Sequence, residues 1–479
     1  MTERRPERPS GQDELEPEPL PLDEVIKAVG GRLLCGDADR VACGVSVDSR
    51  TIRERQLFFA LKGVHHDGHD FVPEALRKGA SAAIVEEGRL SWGVGNLIAV
   101  PDTLTALGDL AAHVRSKFPI PLVAVTGSNG KTTTKGMLSE ILSVSKQALS
   151  SKGSFNNFVG LPLTLMGLSR GHQVAVVELG MNRPGEIKRL SEICRPEVGV
   201  VTNIGPVHLE GVKDIDGVAR AKGEILCGLK EGGIMVFNGD DPYCIRTFSP
   251  LLRGGQAITF GVKGDGLKVR AKSFQLLGTT GLRLTIDVAG DSLEVDLKVS
   301  GAHNMENALA ATAAAYALGV PLGEIKEGLK RFRPIDGRTN IIPLQGGITL
   351  IDDSYNANPR SMEMALNLLK DLAPGRKVAL LADMLELGEA AGWSHLRLGR
   401  QAARAGIDHL LFLGRYGNLV EEGAITGGMD RVTLCQDHEE ALKAILTLLK
   451  EGDFLLIKGS RAMGLDRVVE RLRQREEAG

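Results

Sequence analysis

The stretch AVTGSNGKTTTKGML, residues 124–138, decides the fold of the central part of this chain. Its apolar start is typical of a buried strand, and the residues after the glycines carry apolar side chains at helical spacing. These are Met137, Leu138, Ile141 and Leu142. A glycine loop between a strand and a helix turns backbone N–H groups and the helix N-terminus towards an anion. The stretch therefore predicts a phosphate-binding loop.

This loop is shorter than the usual pattern, Gly-x-x-x-x-Gly-Lys-Ser/Thr, which would place its first glycine at Val125. The residues expected to bind the nucleotide are Gly127, Ser128, Asn129, Gly130, Lys131, Thr132 and Thr133. Lys131 supplies a positive charge for phosphate, and the Thr132 hydroxyl supplies an oxygen ligand for Mg²⁺. No Asn-Lys-x-Asp motif of a GTPase is present.

Composition indicates a soluble enzyme with several cores. A chain of 479 residues predicts two to four domains, and a net charge of -2 gives no basic footprint for nucleic acid or an anionic membrane. The six cysteines are scattered without a CxxC pair, which fits a reducing cytosol. Residues 1–20 are charged and proline-rich, and predict a disordered tail without a signal peptide. We expect a cytoplasmic monomer without membrane insertion.

The alternation of strands and helices predicts an α/β fold of three domains. Residues 21–119 predict a small α/β domain with short strands at VACGVSVDS, QLFFALKG, AAIVEE and NLIAV and a helical patch at PEALRKGA, and the proline-rich residues 117–122 predict a hinge. Residues 120–338 predict a central P-loop ATPase-like parallel sheet with a β-rich insertion at about 267–299. Residues 339–479 carry four apolar strand candidates, ITLID, KVALLAD, HLLFLG and FLLIKG, with helical stretches between them, and predict a Rossmann-like, doubly wound α/β domain.

Further polar side chains follow the strands of the central sheet. Glu178 and His208 would lie at the carboxyl ends of parallel strands, where α/β ligands bind, although a solvated loop acid and a capping histidine are the plain alternatives. Lys222 would repel Mg²⁺ unless CO₂ converted its amine into an anionic carbamate. A helix-surface lysine paired with Glu224 or a neighbouring residue is the alternative.

A series of segments carries a resemblance to a known family. In chain order they read TGSNGKTTTK, SFNNFVGLPLTL, VVELGMNRPGEI, TNIGPVHLEG, ARAKGEI, GAHNMENALAA and DGRTN, over about 124–340. This order resembles the Mur ligase superfamily, and the shortened loop is that superfamily's form. The resemblance implies an ATP-dependent amide ligase of peptidoglycan precursor synthesis that works through an acyl phosphate.

The resemblance also implies a ligand set. Carbamylated Lys222 joins Glu178 and His208 around a second Mg²⁺, while Thr132 serves the first. Asn304, Asn307 and Arg338 are implied to contact ATP. The residues that the resemblance implies to be catalytic are Lys131, Glu178, His208, Lys222 and Asp353.

The outer domains resemble the branch that adds D-alanyl-D-alanine to UDP-N-acetylmuramoyl-tripeptide. The segments IDDSYNANPRSM and LADMLELGE carry this likeness in the C-terminal domain. The resemblance implies that closure of this domain brings Tyr355, Asn356 and Asn358 into the cleft. It also implies that Asp353 faces ATP or Mg²⁺, with Asp352 as an alternative. Lys458 and Ser460 would meet the dipeptide carboxylate, unless LIKGSR is only a capping turn.

VDSRTI and LKGVHHDGHDF near the N-terminus resemble segments that hold the UDP-sugar end. The candidates are Ser49, Arg50 and Lys62, although Arg50 fits a surface charge equally well. His65, His66 and His69 invite a zinc interpretation, but they lie in one predicted loop without a further partner.

Three other functions remain open at this stage. A tripeptide-forming ligase of the same family is disfavoured by YNANP and ADMLELG. A nucleotide-dependent switch would leave Glu178, His208 and Lys222 without a role, and a phosphotransferase would leave a stable phosphorylated product. Whether the third peptide residue is diaminopimelate or lysine is also open.

Overall fold

The computed structural model describes residues 15–89 and 95–478. Most of the predicted tail, residues 1–14, lies outside this part. The remainder of the tail contacts the folded chain, because Arg170 N donates to the Glu18 carboxylate at 3.2 Å and Leu20 is buried.

The N-terminal region is a small sheet flanked by helices. Its elements are β1 (Leu20–Pro21), α1 (Leu22–Ala28), β2 (Arg32–Cys35), β3 (Val41–Ala42), β4 (Val45–Ser46), β5 (Leu57–Phe59), α2 (Val72–Arg77), β6 (Ala82–Glu86), β7 (Leu97–Val100) and α3 (Thr103–Ser116). The five-stranded sheet has the order β2-β7-β6-β5-β4, with only β2 antiparallel, and β1 pairs separately with β3. The strands predicted near 45, 57, 82 and 97 are confirmed, whereas α1, β2 and α3 were not predicted.

The central region holds a nine-stranded sheet. Its elements are β8 (Leu122–Thr126), α4 (Lys131–Leu142), β9 (Ala148–Ser150), α5 (Gly160–Leu165), β10 (Val174–Glu178), α6 (Glu186–Cys194), β11 (Val198–Val201), α7 (Leu209–Val212), α8 (Ile215–Gly223), β12 (Ile234–Asn238), α9 (Pro242–Leu252), β13 (Ala257–Gly261), β14 (Val269–Leu276), β15 (Leu282–Val288), β16 (Asp291–Leu297), α10 (Ala302–Ala317) and α11 (Leu322–Arg331). The predicted strand, loop and helix at 122–142 are confirmed.

The strand order is β16-β15-β14-β13-β12-β11-β8-β10-β9, and β8 to β14 are parallel. The strands expected as a β-rich insertion, β14 to β16, extend this same sheet, with β15 and β16 antiparallel. The chain builds β9 and β10 on one side of β8 and then crosses to β11 on the other side. The carboxyl end of β8 is therefore a topological switch point, where α/β proteins bind ligands.

Alternation along β8 joins the central sheet to two cores. Leu122 and Ala124 face a core shared with the N-terminal helix α3, whereas Val123 and Val125 face α4 and α10. The predicted hinge after α3 is held in place by buried Arg115, which donates to Phe118 O at 2.5 Å and Ile120 O at 3.0 Å. The N-terminal region is thus packed against the central sheet by a continuous core.

The C-terminal region is doubly wound, as expected. Its elements are β17 (Asn340–Pro343), β18 (Thr349–Asp352), α12 (Pro359–Leu372), β19 (Lys377–Ala382), α13 (Ala391–Arg404), β20 (His409–Leu413), α14 (Gly417–Thr426), β21 (Val432–Cys435), α15 (His438–Leu448), β22 (Phe454–Lys458) and α16 (Asp466–Ala478). The order is β17-β18-β22-β19-β20-β21, and only β17 is antiparallel. Within the described ranges, no helix combines the length and apolar character that crossing a bilayer would require.

Candidate active site

The glycine loop after β8 has a shape that only glycine permits at its two ends. Gly127 has φ +147°, and a Cβ there would lie 1.9 Å from Thr202 Oγ1. Gly130 has φ +81°, begins α4, and would bring a Cβ within 2.0 Å of Asn307 Oδ1. The loop is therefore tightly packed between the end of β11 and the start of α10.

The loop after β11 holds the glycine loop through main-chain bonds. Ser128 N donates to Asn203 O at 2.9 Å, and Asn129 N donates to Asn203 Oδ1 at 3.0 Å. The Asn129 Nδ2 group is buried, and none of the described residues accepts a hydrogen bond from it. A buried donor without an acceptor is costly, so this loop suits an anionic or carbonyl acceptor from a ligand.

Lys131 lies in the cleft at the start of α4. Its Nζ donates to Gly127 O at 2.8 Å. The lysine is therefore bonded to its own loop, as expected when it does not contact a phosphate. Burial lowers the pKa of Lys131, and the Glu178 carboxylate partly opposes this. The lysine is therefore available to exchange a weak main-chain contact for a charged one.

Glu178, at the end of β10, is 1% exposed and fully bonded. Its two oxygens accept from Thr132 Oγ1 at 2.9 Å and from Asn156 Nδ2 at 2.8 Å. Arg338 Nη2 donates to Thr132 Oγ1 at 3.3 Å. The structure thus connects the predicted residues Thr132, Glu178 and Arg338. It adds Asn156, which was not predicted individually but lies within the segment SFNNFVGLPLTL.

Lys222 is on α8 and is 2% exposed at the cleft. Among the described residues, no hydrogen bond or ion pair with its ammonium group is found, and the Glu224 carboxylate, its partner in the alternative interpretation, accepts instead from Gly185 N and Lys188 N. Burial lowers the pKa of Lys222 well below its usual range, and the Lys131 charge acts in the same direction. His208 reaches the same cleft, but its Nδ1 lies 2.6 Å from the Glu386 carboxylate of the C-terminal region.

Asn304 and Asn307 share the buried face of the first turns of α10. Asn307 Nδ2 donates to Asn304 Oδ1 at 3.0 Å, and Asn304 Nδ2 donates to Ser300 O at 2.8 Å. Both side chains line the cleft next to the glycine loop. They are placed to contact a nucleotide held by that loop.

Asp353 follows β18 and faces the cleft, whereas Asp352 does not. Lys458 Nζ, at the end of β22, donates to Asp353 Oδ2 at 2.6 Å. The Asp352 carboxylate instead accepts from Ser354 Oγ at 2.6 Å and Gly337 N at 3.1 Å, and burial raises its pKa. The alternative between the two aspartates is therefore answered in favour of Asp353.

The predicted cleft residues after Asp353 divide into two groups. Tyr355, Asn356 and Asn358 line the cleft, and the Asn358 Nδ2 donates to Asn129 Oδ1 of the glycine loop at 2.7 Å. Ser460 is outside the cleft lining and 4% exposed, because its hydroxyl accepts from Leu385 N at 2.9 Å. The Ser460 hydroxyl thus joins two loops beside the cleft, and its contact with the dipeptide carboxylate stays a prediction.

Sequence reasoning missed several side chains of the cleft. His303 Nε2 lies 3.2 Å from Thr339 Oγ1, and Thr339 N donates to Asp353 Oδ1 at 3.0 Å. Burial lowers the pKa of His303 to about 4. The ring of Tyr355 lies under the Arg338 guanidinium at 4.1 Å and near that of Arg461 at 5.2 Å. GAHNMEN, DGRTN and LIKGSR contain the missed residues His303, Thr339 and Arg461, but their contacts join distant parts of the chain.

The N-terminal candidates lie away from this cleft. Ser49 is buried and donates to Glu74 at 3.2 Å, while Arg50 is 84% exposed and pairs with Asp48 at 2.7 Å. Lys62 is exposed, and its main chain bridges to Asp67.

The three loop histidines occupy different environments. His69 is buried between Asp67 and Glu86 N, whereas His65 and His66 are exposed. Within the described part of the chain, no group of three or more His, Cys, Asp or Glu side chains has an arrangement that could hold a metal ion.

Comparison with family models gives three matches along the chain. A Mur ligase family catalytic domain matches residues 42–115, a Mur ligase middle domain matches 125–315, and a Mur ligase glutamate ligase domain matches 337–461. The three matches fall in the N-terminal, central and C-terminal regions described above, in that order.

Curated relatives and solved structures agree with the family models. UDP-N-acetylmuramoyl-tripeptide--D-alanyl-D-alanine ligase of Escherichia coli is 36% identical over 95% of this chain and 98% of its own. The Bacillus subtilis protein of that name is 34% identical over 90% and 93%. The crystal structure of MurF from Acinetobacter baumannii has a TM-score of 0.88 at 33% identity, covering 96% of this chain and 100% of that one.

MurF ligase from Thermotoga maritima in complex with ADP has a TM-score of 0.78 at 29% identity, covering 91% of this chain and 98% of that one. The likeness therefore extends over the whole three-domain arrangement as well as the glycine loop. The chain belongs to the Mur ligase family.

Proposed function

We propose that this chain is an ATP-dependent ligase that joins D-alanyl-D-alanine to UDP-N-acetylmuramoyl-tripeptide, releasing ADP and phosphate. One observation carries the proposal: a single cleft brings the nucleotide loop of the central region against Asp353, Tyr355 and Asn358 of the C-terminal region. The names of the relatives supply the substrates, and the ADP complex of the Thermotoga maritima structure supports a nucleotide at the loop.

The chemistry requires positive charge where two anions meet. A carboxylate must approach the γ-phosphate of ATP, and the product acyl phosphate then reacts with the amine of the dipeptide while phosphate leaves. Lys131 and Arg338 bring two cationic groups to the phosphate side of the cleft. Exclusion of water by the C-terminal region would protect the acyl phosphate from hydrolysis.

The cleft residues fit the two Mg²⁺ ions that the family resemblance implies. Thr132 and Glu178 provide hydroxyl and carboxylate oxygens, the ligand types that Mg²⁺ prefers, and they already lie 2.9 Å apart. Lys222, buried and without a hydrogen-bond partner in the part of the chain that the structure describes, fits an amine carbamylated by CO₂, which with Glu178 and His208 would hold the second ion. When bound, Mg²⁺ would neutralise phosphate charge.

We assign the UDP end of the tripeptide substrate to the N-terminal region and the dipeptide carboxylate to the C-terminal region. We retain Lys62 and Arg50, both exposed on the N-terminal region, as contacts for the UDP end, together with the main chain at Ser49. Lys458 faces the cleft from β22, but it is 2% exposed and paired with Asp353. It would contact the dipeptide carboxylate only after rearrangement of that pair.

The test measures phosphate release from ATP and Mg²⁺ with UDP-N-acetylmuramoyl-tripeptide, with and without D-alanyl-D-alanine, while product mass is followed. Release that requires both substrates and yields the pentapeptide mass supports the ligase. Running diaminopimelate and lysine tripeptides in parallel assigns the third residue. Release indifferent to both substrates refutes the proposal and favours a nucleotide switch.

A matched pair of variants ties the activity to the cleft. Arg338→Ala removes a guanidinium that touches Thr132 and Tyr355, so we expect turnover to fall at least about tenfold. Arg333→Ala removes an exposed guanidinium that donates only to nearby main-chain carbonyls, and should leave turnover unchanged.

A further inference from the structure

Lys135 is a buried cation that no part of the proposed chemistry uses. It lies on α4 and is 3% exposed. Its ammonium group donates to Ser151 O at 2.5 Å and to Gly153 O at 2.6 Å. No carboxylate among the described residues forms an ion pair with it. Because a buried ammonium group is costly unless it is hydrogen-bonded, these two carbonyls are what make its position stable.

The two carbonyls belong to the loop after the edge strand β9, here called the 151–156 loop. This loop ends in two side chains that reach the cleft. The Ser154 hydroxyl bonds to the Tyr355 hydroxyl of the C-terminal region, and Asn156 donates to Glu178 at 2.8 Å. The Asn156 carbonyl also accepts from Gly180 N at 2.7 Å.

Lys135 stands one helical turn after Lys131, so the two side chains leave the same face of α4. Lys131 lies against the nucleotide loop, and Lys135 lies against the 151–156 loop. The nucleotide loop has separate supports in Asn203 and in the packing of Asn307 on Gly130. Loss of the Lys135 contacts should therefore release one loop without releasing the other.

We propose that Lys135 is a positioning residue for the ligase reaction, which holds the 151–156 loop so that Asn156 orients Glu178 and Ser154 meets Tyr355. This assignment rests on the proposed function. A positioning role differs from a purely structural one in two ways. Turnover depends on Lys135 through Asn156, and ATP binding is largely independent of Lys135.

Three variants separate these effects. Lys135→Met keeps the length and apolar stem but removes the donors, Lys135→Arg keeps charge and donors, and Ser139→Ala is the control. Ser139 lies one turn further on α4, and its hydroxyl donates to Ser150 Oγ at 2.8 Å. We expect K135M to lower kcat at least about tenfold and K135R to lower it less, while ATP Kd changes by under about threefold. S139A should match the unmodified protein.

A double-mutant cycle with Asn156→Ala decides whether Lys135 acts through Asn156. We expect the K135M and N156A double variant to be within about threefold of N156A alone, because the two changes break one connected unit. Losses that multiply overturn the proposal, as does an ATP affinity that falls in step with kcat. If K135M does not fold, the same cycle is run with Lys135→Gln, which also removes the ammonium group but keeps a polar side chain, and it is judged by the same criteria.

Amide hydrogen exchange supplies a readout that needs no turnover. K135M should exchange faster than S139A in peptides covering 150–158, with equal exchange across 122–130. Equal exchange in both regions overturns the assignment of Lys135. A protein that shows this pattern but no dipeptide-dependent turnover would refute the proposed ligase activity while leaving Lys135 as the support of the loop.

Discussion

Replacing Gly130 by alanine should separate the cost of a strained backbone from the loss of ATP binding. Gly130 begins α4 with φ +81°, and its added Cβ would lie 2.0 Å from Asn307 Oδ1. Asn307 would have to move, breaking its 3.0 Å bond to Asn304 and its contact with Thr134. The chain offers a matched control in Gly185, which begins α6 with φ +89° and has nothing within 4 Å of the added Cβ.

The two substitutions share one energetic term and differ in another. A left-handed non-glycine residue costs about 1–2 kcal/mol, so both variants should lose that much stability. Gly130→Ala should lose about 1 kcal/mol more for each hydrogen bond of Asn307 that breaks. If Asn307 contacts ATP, as we propose, its displacement should weaken ATP binding by at least about tenfold, or about 1.4 kcal/mol. Gly185→Ala should leave ATP affinity unchanged.

The assay titrates ATP into each variant and follows thermal unfolding with and without ATP. Because a three-domain chain need not unfold in one step, the relevant transition is the one that ATP shifts in the unmodified protein. The combined Gly130→Ala and Asn307→Ala change should regain part of the stability, since the clash is removed, but not the ATP affinity. Equal ATP affinities for the Gly130 and Gly185 variants would refute this account of the loop.

Three further predictions concern other parts of the cleft. Lys222→Ala should abolish ligation, and a short added carboxylic acid should restore part of it; loss without rescue in the phosphate-release assay would count against the carbamate. The pKa of His303 rises from about 4 in the folded chain to about 6.5 on unfolding, so its contribution to stability is complete above about pH 6.5 and is lost as the pH falls through about 4. His303→Gln should reduce the loss of stability in acid by at most about 3 kcal/mol, and by less than that because the His303 side chain is partly exposed. A pH–stability curve that does not change in this variant would contradict the lowered pKa of His303. Asn358→Ala and Asp437→Ala both remove a helix cap worth about 1 kcal/mol, but only Asn358→Ala breaks a contact with the glycine loop and should raise the KM for ATP; equal KM values would show that this contact has no role.

The sequence predicted the fold correctly where an apolar strand is followed within a few residues by a helix. β8, β10, β11 and the four buried strands β18, β19, β20 and β22 were all predicted, because a parallel strand buried on both faces reads as an apolar run. The edge strands β9, β17 and β21 were missed, since short edge strands carry mixed residues, and the inner strands β12 and β13 were missed as well. The continuation of the central sheet by β14 to β16 could not be predicted, because the pairing partner β13 is not identified by alternation alone.

The candidate site was predicted to the extent that its residues follow strands within motifs. Glu178 and Asp353 were found in this way, and the structure chose Asp353 because Ser354 and Gly337 already satisfy the neighbouring carboxylate. Asn156 and His303 were not found, although both lie inside quoted motifs. Their roles come from contacts with residues more than twenty positions away, which no local pattern encodes.

The contacts between the central and C-terminal regions bear on how substrates enter the cleft. Among the described residues, the joining pairs include His208 with Glu386 and Arg360 with Glu306, and these side chains are 24–54% exposed. Polar contacts this exposed contribute at most about 1 kcal/mol each, so these two do little to hold the regions together. His208 is also a proposed ligand for the second Mg²⁺, and its Nδ1 already faces Glu386. Domain closure and formation of the metal site would therefore share one side chain, which couples access to the cleft with assembly of the reaction centre.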